Sequence, residues 1–264
     1  MPTIGFQGEP GAFSDQAAQA LVPSATTRGF LDFDSLIAAT AHGSIDAGLL
    51  PIENSIFGAI ARSYDLLWET PGLHIVDETA IAVEMCLIGV PGATEDEIVE
   101  VRSHPVALEQ VRRFTDTHPE WQRTVVDDTA GAVAEIMKRH DRSIAAIGPA
   151  FAAAHYGATV LRRAIQDDAQ NFTRFYLLAT APAAVPRSDR AVVGIEIPHR
   201  PGSLRDALGA FADRQIDLRN IVARPNHVDP FHYRFFFEIR ALDAARLAEA
   251  LAAIDGSTRL FGRY

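Results

Sequence analysis

A chain of 264 residues exceeds one ordinary domain and is long enough for a catalytic unit plus a smaller module. With 34 acidic and 24 basic residues the net charge is −10 and no basic stripe exists, which argues against nucleic acid or an anionic membrane as partner. Cys86, the single cysteine, excludes an intrachain disulfide or a CxxC metal site; no signal peptide opens the sequence and no stretch approaches the ~20 apolar residues of a membrane span, so a soluble, cytoplasmic protein is expected.

In chain order, Thr3-Ile4-Gly5-Phe6 reads as a strand, followed by Gln7-Gly8-Glu9-Pro10-Gly11-Ala12-Phe13-Ser14 and a helix from Asp15 to Leu21. Gly8 and Gly11 let the backbone turn tightly and approach a ligand, Ser14 can cap the helix, and a helix start gathers anions through its free N–H groups. The spacing is not GxGxxG and Pro10 lies inside the turn, which rules out a dinucleotide fingerprint. A helix carrying Leu36, Ile37 and Ala41 ends near Gly43, and a buried strand from Ala47 to Leu50 leads into Pro51-Ile52-Glu53-Asn54-Ser55-Ile56-Phe57-Gly58. This polar cluster sits where open α/β sheets place their ligands. Asn54 and Ser55 either donate to a carboxylate or form a cap and an Asx-turn, with Ser55 near the start of a helix through Ala59, Ser63 and Leu66; Glu53 is an acid or a loop anchor.

The run Ile81 to Gly89 is strand-like. Val101-Arg102 leads to Ser103-His104-Pro105 and a helix from Ala107; Pro105 suits a first helical position, which places Ser103 and His104 at another anion-friendly helix start. A strand Arg123 to Val126 precedes Asp127-Asp128-Thr129, which can cap a helix from Ala130 to Lys138. Ser143 to Gly148 is a buried strand, and a small-residue helix Ala150 to His155 ends at Gly157. Gln170-Asn171-Phe172-Thr173-Arg174-Phe175 then sets an amide, a hydroxyl and a guanidinium among aromatic rings before the apolar Tyr176-Leu177-Leu178-Ala179, a loop feeding a buried strand. Burying such groups unpaired costs roughly 1–3 kcal/mol each, so either the fold or a ligand supplies their partners.

Alternating strands and helices through the first ~180 residues argue for α/β with largely parallel sheets. The proline-and-alanine stretch Ala181 to Ser188 breaks the pattern and marks a linker over 181–190. After it come a strand Ala191 to Ile197, the turn Pro198-His199-Arg200-Pro201-Gly202, a helix Ser203 to Gln215 and a strand Leu218 to Ala223. A strand Tyr233 to Arg240, with Tyr233, Phe235, Phe237 and Ile239 on one side, a helix Asp243 to Ile254 and a last strand through Leu260-Phe261 complete β-α-β-β-α-β, a ferredoxin-like α+β order.

The segments Gly8 to Ser14, Pro51 to Gly58, Ser103-His104-Pro105 and Asn171-x-Thr173-Arg174-Phe175 occur in the order found in prephenate dehydratase, and Arg200-Pro201-Gly202-Ser203-Leu204 resembles the ligand-binding loop of an ACT domain. The resemblance spans essentially the whole chain. It implies a bilobal catalytic region over 1–180, similar to type II periplasmic binding proteins, with lobes over 1–78 plus 175–180 and over 79–174, and an ACT domain over 191–264 that pairs between subunits as a homodimer or homotetramer. The implied reaction turns prephenate into phenylpyruvate with loss of carbon dioxide and water and needs no cofactor. It also implies Thr173 as the proton donor; Gly11, Ser14, Glu53, Asn54, Ser55, Ser103, His104, Asn171, Arg174 and Phe175 as substrate-binding; and Pro201, Gly202, Ser203, Leu204, Arg224 and Pro225 as binding an L-phenylalanine effector.

Because the matched motifs hold few cations, backbone N–H groups near Ser14, Ser55 and Ser103 are expected to carry much of the anion binding. Arg174 is ambiguous: strand neighbours face opposite ways, so if Thr173 meets substrate, Arg174 is left for an ion pair, with Asp167 or Asp168 as candidate partners. The chain departs from the family at Val106, Asp128, Gly148-Pro149, and at Val222-Ala223-Arg224-Pro225, where Glu-Ser-Arg-Pro is usual. The last weakens the case for ordinary phenylalanine inhibition more than that for catalysis. Arogenate dehydratase, prephenate decarboxylase and a non-catalytic amino-acid sensor are the alternatives, and retention of Thr173 speaks against the last two.

Overall fold

The computed structural model describes residues 1–184, 189–226, 232–240 and 243–264; the linker residues Val185 to Ser188 lie outside the described residues. Short apolar runs make the strands, and they gather into three sheets. The first contains β1 (Thr3–Gln7), β2 (Thr26–Phe30), β3 (Ala47–Asn54), β4 (Gly58–Ala59), β5 (His74–Ala82) and, returning late in the chain, β11 (Phe172–Ala179). Their order is β2-β1-β3-β11-β5, with β4 paired to β3. Helices α1 (Phe13–Leu21), α2 (Phe33–Ala41) and α3 (Ala61–Glu69) connect them.

The second sheet contains β6 (Cys86–Gly89), β7 (Glu100–Ser103), β8 (Gln122–Val125), β9 (Ile144–Gly148) and β10 (Thr159–Arg162), in the order β10-β6-β9-β7-β8. It carries α4 (Pro105–Gln110), α5 (Arg112–Asp116), α6 (Thr129–Arg139) and α7 (Ala150–Tyr156). Sequence patterning predicts largely parallel sheets, but both are mixed. β1 runs parallel to β2 and β3, and β7 parallel to β8 and β9, whereas β11 is antiparallel to β3 and β5, and β6 to β9 and β10. Apart from the short β4, which pairs antiparallel with β3, the antiparallel pairings involve the strands that flank the two crossings between the lobes, β5 and β6 on the way out and β10 and β11 on the way back.

That crossing also divides the run Ile81 to Gly89, expected as one strand. β5 ends at Ala82 in the first sheet and β6 begins at Cys86 in the second. Between them the Val83 N–H donates to the Asn171 carbonyl (2.8 Å) and the Met85 N–H to Gln166 Oε1 (3.0 Å), so the two crossing segments are tied side by side. Burial pushes the Cys86 thiol up, with Glu84 adding to it, and the side chain sits at 0% exposure as packing.

The third sheet, β12 (Arg190–Glu196), β13 (Asp217–Pro225), β14 (Tyr233–Arg240) and β15 (Ser257–Arg263), is antiparallel in the order β13-β14-β12-β15, with α8 (Ser203–Ala212) and α9 (Ala244–Ala252). Phe237 and Ile239 pack on the helices, while Phe236 on the opposite face joins Val192, Phe261 and Tyr264 in a core shared with Tyr64, Ile75, Tyr176 and Leu178 of the first lobe. The small third domain therefore seals its outer sheet face onto the catalytic region.

Candidate active site between the lobes

The C-terminal ends of β1 and β3 and the start of β11 share one edge of the first sheet, and that edge faces the second lobe. A Cβ on Gly8 (φ +115°) would stand 3.2 Å from Asp128 Oδ2, and one on Gly11 (φ +90°) 3.0 Å from Ala152 Cα, so only glycine both adopts these dihedrals and admits the neighbouring lobe. Ala12 goes further and packs into the second lobe's core beside Ala130 and Ala152. Ala12, not Ser14, is the N-cap of α1, and Ser14 lies within its first turn.

Asn54 organises the centre. Its Oδ1 accepts from the N–H groups of Ile56 (3.0 Å) and Phe57 (3.2 Å), which turns Nδ2 toward β11. Nδ2 donates to Asn171 Oδ1 (2.8 Å) and to Thr173 Oγ1 (3.1 Å). Thr173 thus accepts at its oxygen, and its own proton has no acceptor among the described residues. Asn171 is 2% exposed, and its Nδ2 has no hydrogen-bond partner among the described residues. A buried idle donor beside an oriented hydroxyl is the arrangement expected where a ligand completes the bonding. Phe57 and Phe172 stand exposed at the mouth, and Ile56, Phe57, Gln110, Gln166, Asp167 and Asn171 line a cavity of about 230 Å³ spanning the lobes. Ile56 and Phe57 escaped the sequence reading; two exposed apolar residues directly after a polar turn were the signal.

Other expected site residues are placed differently. Ser55 lies in the β3–β4 turn, not at the start of α3. Its Oγ donates to the Gln170 carbonyl (2.7 Å) and accepts from the Phe172 N–H (2.8 Å), so it clamps the two strand mouths together. Ser103 is fully buried, donating to the Ile147 carbonyl (2.6 Å), and His104 caps α4 by accepting from the Val106 N–H (3.3 Å). Phe175 is 1% exposed in the first lobe's core with Ile4 and Leu49. Asp128 caps α6, accepting from the Gly131 N–H (2.7 Å).

Arg174 turns its back on the cleft. β11 stays in regular register with β5 from Phe172 to Leu177, so Thr173 and Arg174 point to opposite faces; on the other side Ile52 is the extra residue that shifts the β3 register. Arg174 Nη1 donates to Glu238 Oε2 (2.6 Å) on β14, and Nη2 to Glu53 Oε2 (2.8 Å) and also to Glu238. These carboxylates, not Asp167 or Asp168, are its partners; burial opposes its charge, yet Glu238, Tyr176 and Glu53 outweigh this and raise its pKa. The Tyr176 hydroxyl donates to Glu238 (2.7 Å), and burial, with Tyr264 and Glu238 adding, holds that phenol well up and protonated.

In the third domain, Pro201 and Gly202 (φ +92°) form the turn into α8, and Ser203 Oγ is buried with no partner among the described residues. Ser203 and Leu204 line a cavity of about 190 Å³ with His199, Arg200 and His232. Arg224 instead reaches Asp65 of α3 (2.9 and 2.7 Å), and Pro225 ends β13 opposite Tyr233.

Comparison with known proteins agrees with this architecture. Residues 4–183 match the prephenate dehydratase family and 191–256 the ACT domain. The chain is 38% identical over 283 aligned residues to an Arabidopsis thaliana protein named arogenate dehydratase/prephenate dehydratase 6, chloroplastic, covering 99% of this chain and 68% of that one. The prephenate dehydratase from Arthrobacter aurescens, solved in complex with L-Phe, superposes with TM-score 0.88 at 27% identity, covering 98% of this chain and 88% of that one. GqqA, described as a novel type of quorum-quenching acylase, superposes with TM-score 0.88 at 31% identity over 98% and 96%. The chain spans about two thirds of the length of the curated plant relatives it matches. It belongs to the prephenate dehydratase family of carbon–oxygen lyases, with an ACT domain following the catalytic region.

Proposed function

We propose that this protein converts prephenate to phenylpyruvate, with Thr173 assisting departure of the ring hydroxyl. The observation that carries this is the Thr173 hydroxyl, held as an acceptor by Asn54 at 3.1 Å beside the idle Asn171 amide. The electron pair of the breaking carbon–carboxylate bond enters the ring as carbon dioxide leaves, and the ring expels hydroxide, which takes a proton and departs as water. Aromatisation supplies the driving force, so the protein's part is orientation and a positioned proton. A threonine hydroxyl is too weak an acid to ionise first, so it donates a hydrogen bond that becomes proton transfer as the carbon–oxygen bond breaks, and solvent returns the proton. Asn171 Nδ2 and the N–H groups of the first turn of α1 serve the substrate's carboxylates.

Arogenate is the second reading. Glu109, Asp167 and Asp168 line the interlobe cavity, where a carboxylate suits the ammonium that arogenate carries in place of the keto group. Supplying each substrate to purified protein and identifying phenylpyruvate or phenylalanine as product decides between them. Formation of neither refutes the dehydratase reading.

In the regulatory domain, we infer that L-phenylalanine binds at Ser203 and Leu204, as supported by the idle Ser203 hydroxyl and by the L-Phe complex of the Arthrobacter aurescens relative. The edge strand β13, with Ile221 exposed, is the surface through which two ACT domains would pair. Calorimetric titration with L-phenylalanine before and after Ser203→Val tests the first statement, and sedimentation of the intact chain the second.

A further inference from the structure

The cross-strand pair next to the proposed catalytic pair is gripped by the regulatory domain. Thr173 stands opposite Asn54 in the β3–β11 ladder, and Arg174 stands opposite Glu53. The first pair is bonded through Asn54 to Asn171, which lines the interlobe cavity; the second faces β14, where Glu238, 8% exposed, takes Arg174 through both of its oxygens and also accepts from Tyr176. Glu78 lies 3.6 Å from Arg174 and also pairs with Arg190 at the start of β12. One carboxylate of the third domain thus holds, directly or through Arg174, a residue adjoining each member of the Thr173–Asn54 pair.

We propose that Glu238 is a positioning residue for the Thr173–Asn54 pair: by gripping Arg174, and through it Glu53, it fixes the backbone of both strand mouths and so the aim of the Thr173 hydroxyl. This rests on the dehydratase reading of Thr173. The geometry favours a specific role over mere adhesion, because the domains are also joined elsewhere, by the buried apolar core around Phe236 and by the Arg224–Asp65 pair on α3. The Arg224–Asp65 pair docks the domain without touching β11, and the apolar core meets β11 at Tyr176 and Leu178, beyond the strand mouth that holds Thr173. β14 also runs from the cavity at Ser203, which Tyr233 and Phe235 line, to Glu238, a span of about 17 Å along one strand. β14 thus carries both of those cavity residues and the carboxylate that grips Arg174.

Glu238→Gln keeps the shape and removes the charge, and Arg174→Lys removes the fork. Because misplacing a reacting group by about 1 Å costs on the order of 10²-fold, each is expected to lower kcat by roughly 10- to 100-fold with KM within about twofold of wild type, and the double variant no further. Asp65→Asn is the control: it unseats the other ion pair and lowers the melting temperature while kcat stays at the wild-type value. Amide hydrogen exchange over 170–176 gives a readout independent of turnover, and is expected to quicken in Glu238→Gln and Arg174→Lys but not in Asp65→Asn. A folded Glu238→Gln protein with wild-type kcat and unchanged exchange over 170–176 overturns the proposal. So does an Asp65→Asn protein that matches its loss, since docking alone would then explain both. Failure of the dehydratase reading is separately visible as no turnover by wild type, or as full turnover by Thr173→Ala, and in either case the exchange comparison still tests the grip.

Discussion

Two strand mouths in this molecule carry the same kinds of side chain and use them differently. At the end of β7, Ser103 donates to the Ile147 carbonyl and His104 accepts from the Val106 N–H, so the fold consumes what the sequence offers. At the joined mouths of β3 and β11, Asn54 spends its amide orienting Asn171 and Thr173, and this leaves the Asn171 Nδ2 and the Thr173 proton unspent. A polar residue at a strand end becomes a ligand candidate through what its neighbours leave over.

The hardest test of that contrast is Thr173→Ala. Removing a positioned proton donor is expected to lower kcat by roughly 10²–10⁴-fold. The melting temperature should stay near wild type, because the lost acceptor leaves Asn54 its bonds to Asn171 and the Phe172 carbonyl. Steady-state product formation and thermal melting read both quantities, and a variant that keeps its turnover removes Thr173 from the mechanism. Next in size is Asn171→Leu. A hydrogen bond to a charged group is worth about 1.5–3 kcal/mol, so loss of the idle amide should raise KM for the dianionic substrate by roughly 10- to 100-fold. Unchanged KM would make Asn171 a strut for Asn54 and nothing more.

How far these differences were legible depends on how local their causes are. The cap of α6 at Asp128, the end of α7 at Gly157 and the shared face of Phe235, Phe237 and Ile239 on β14 were all readable, because each is decided within a few residues. The edge strands β2 and β10 were not, since half-exposed strands lack the apolar run that marks a buried one. The single strand expected over Ile81 to Gly89 failed for the opposite reason: hydrophobicity continues through the crossing while the sheet does not. Thr173 and Arg174 were separable in face by strand geometry, but Glu238 as the partner was beyond sequence reach. The hint was Phe236, an apolar residue on the supposed outer face of β14, which marks both faces as covered and Glu238 as a carboxylate needing a buried partner.

Ser103→Ala tests the other mouth. It removes a buried donor and leaves the Ile147 carbonyl short of a partner, an expected loss of about 1–3 kcal/mol in stability, read by urea unfolding, with kcat unchanged. A fall in kcat without loss of stability would move Ser103 from the fold to the site and erase the contrast.

The smallest effect concerns acid. Arg102, beside Ser103 on β7, holds Glu100 (2.6 Å) and Glu135 (2.6 Å). Burial works to raise the Glu100 pKa, but the Arg102 and Thr124 hydrogen bonds outweigh it and leave it lowered; Arg102 first, against a smaller effect of burial, lowers Glu135. A carboxylate whose folded pKa is depressed stabilises the fold above its unfolded value of 4.5, and that contribution is lost as pH falls through the lower folded value. Glu135 is 36% exposed, so solvent screening limits the pair to less than about 1 kcal/mol. Glu100→Gln should therefore melt slightly below wild type near neutral pH, with the difference closing below pH 4.5, and should leave kcat untouched, because this lobe's strand mouth is built to hold its own fold. A gap that instead widened in acid would assign the stabilisation to the neutral carboxyl and reverse the sign of the argument.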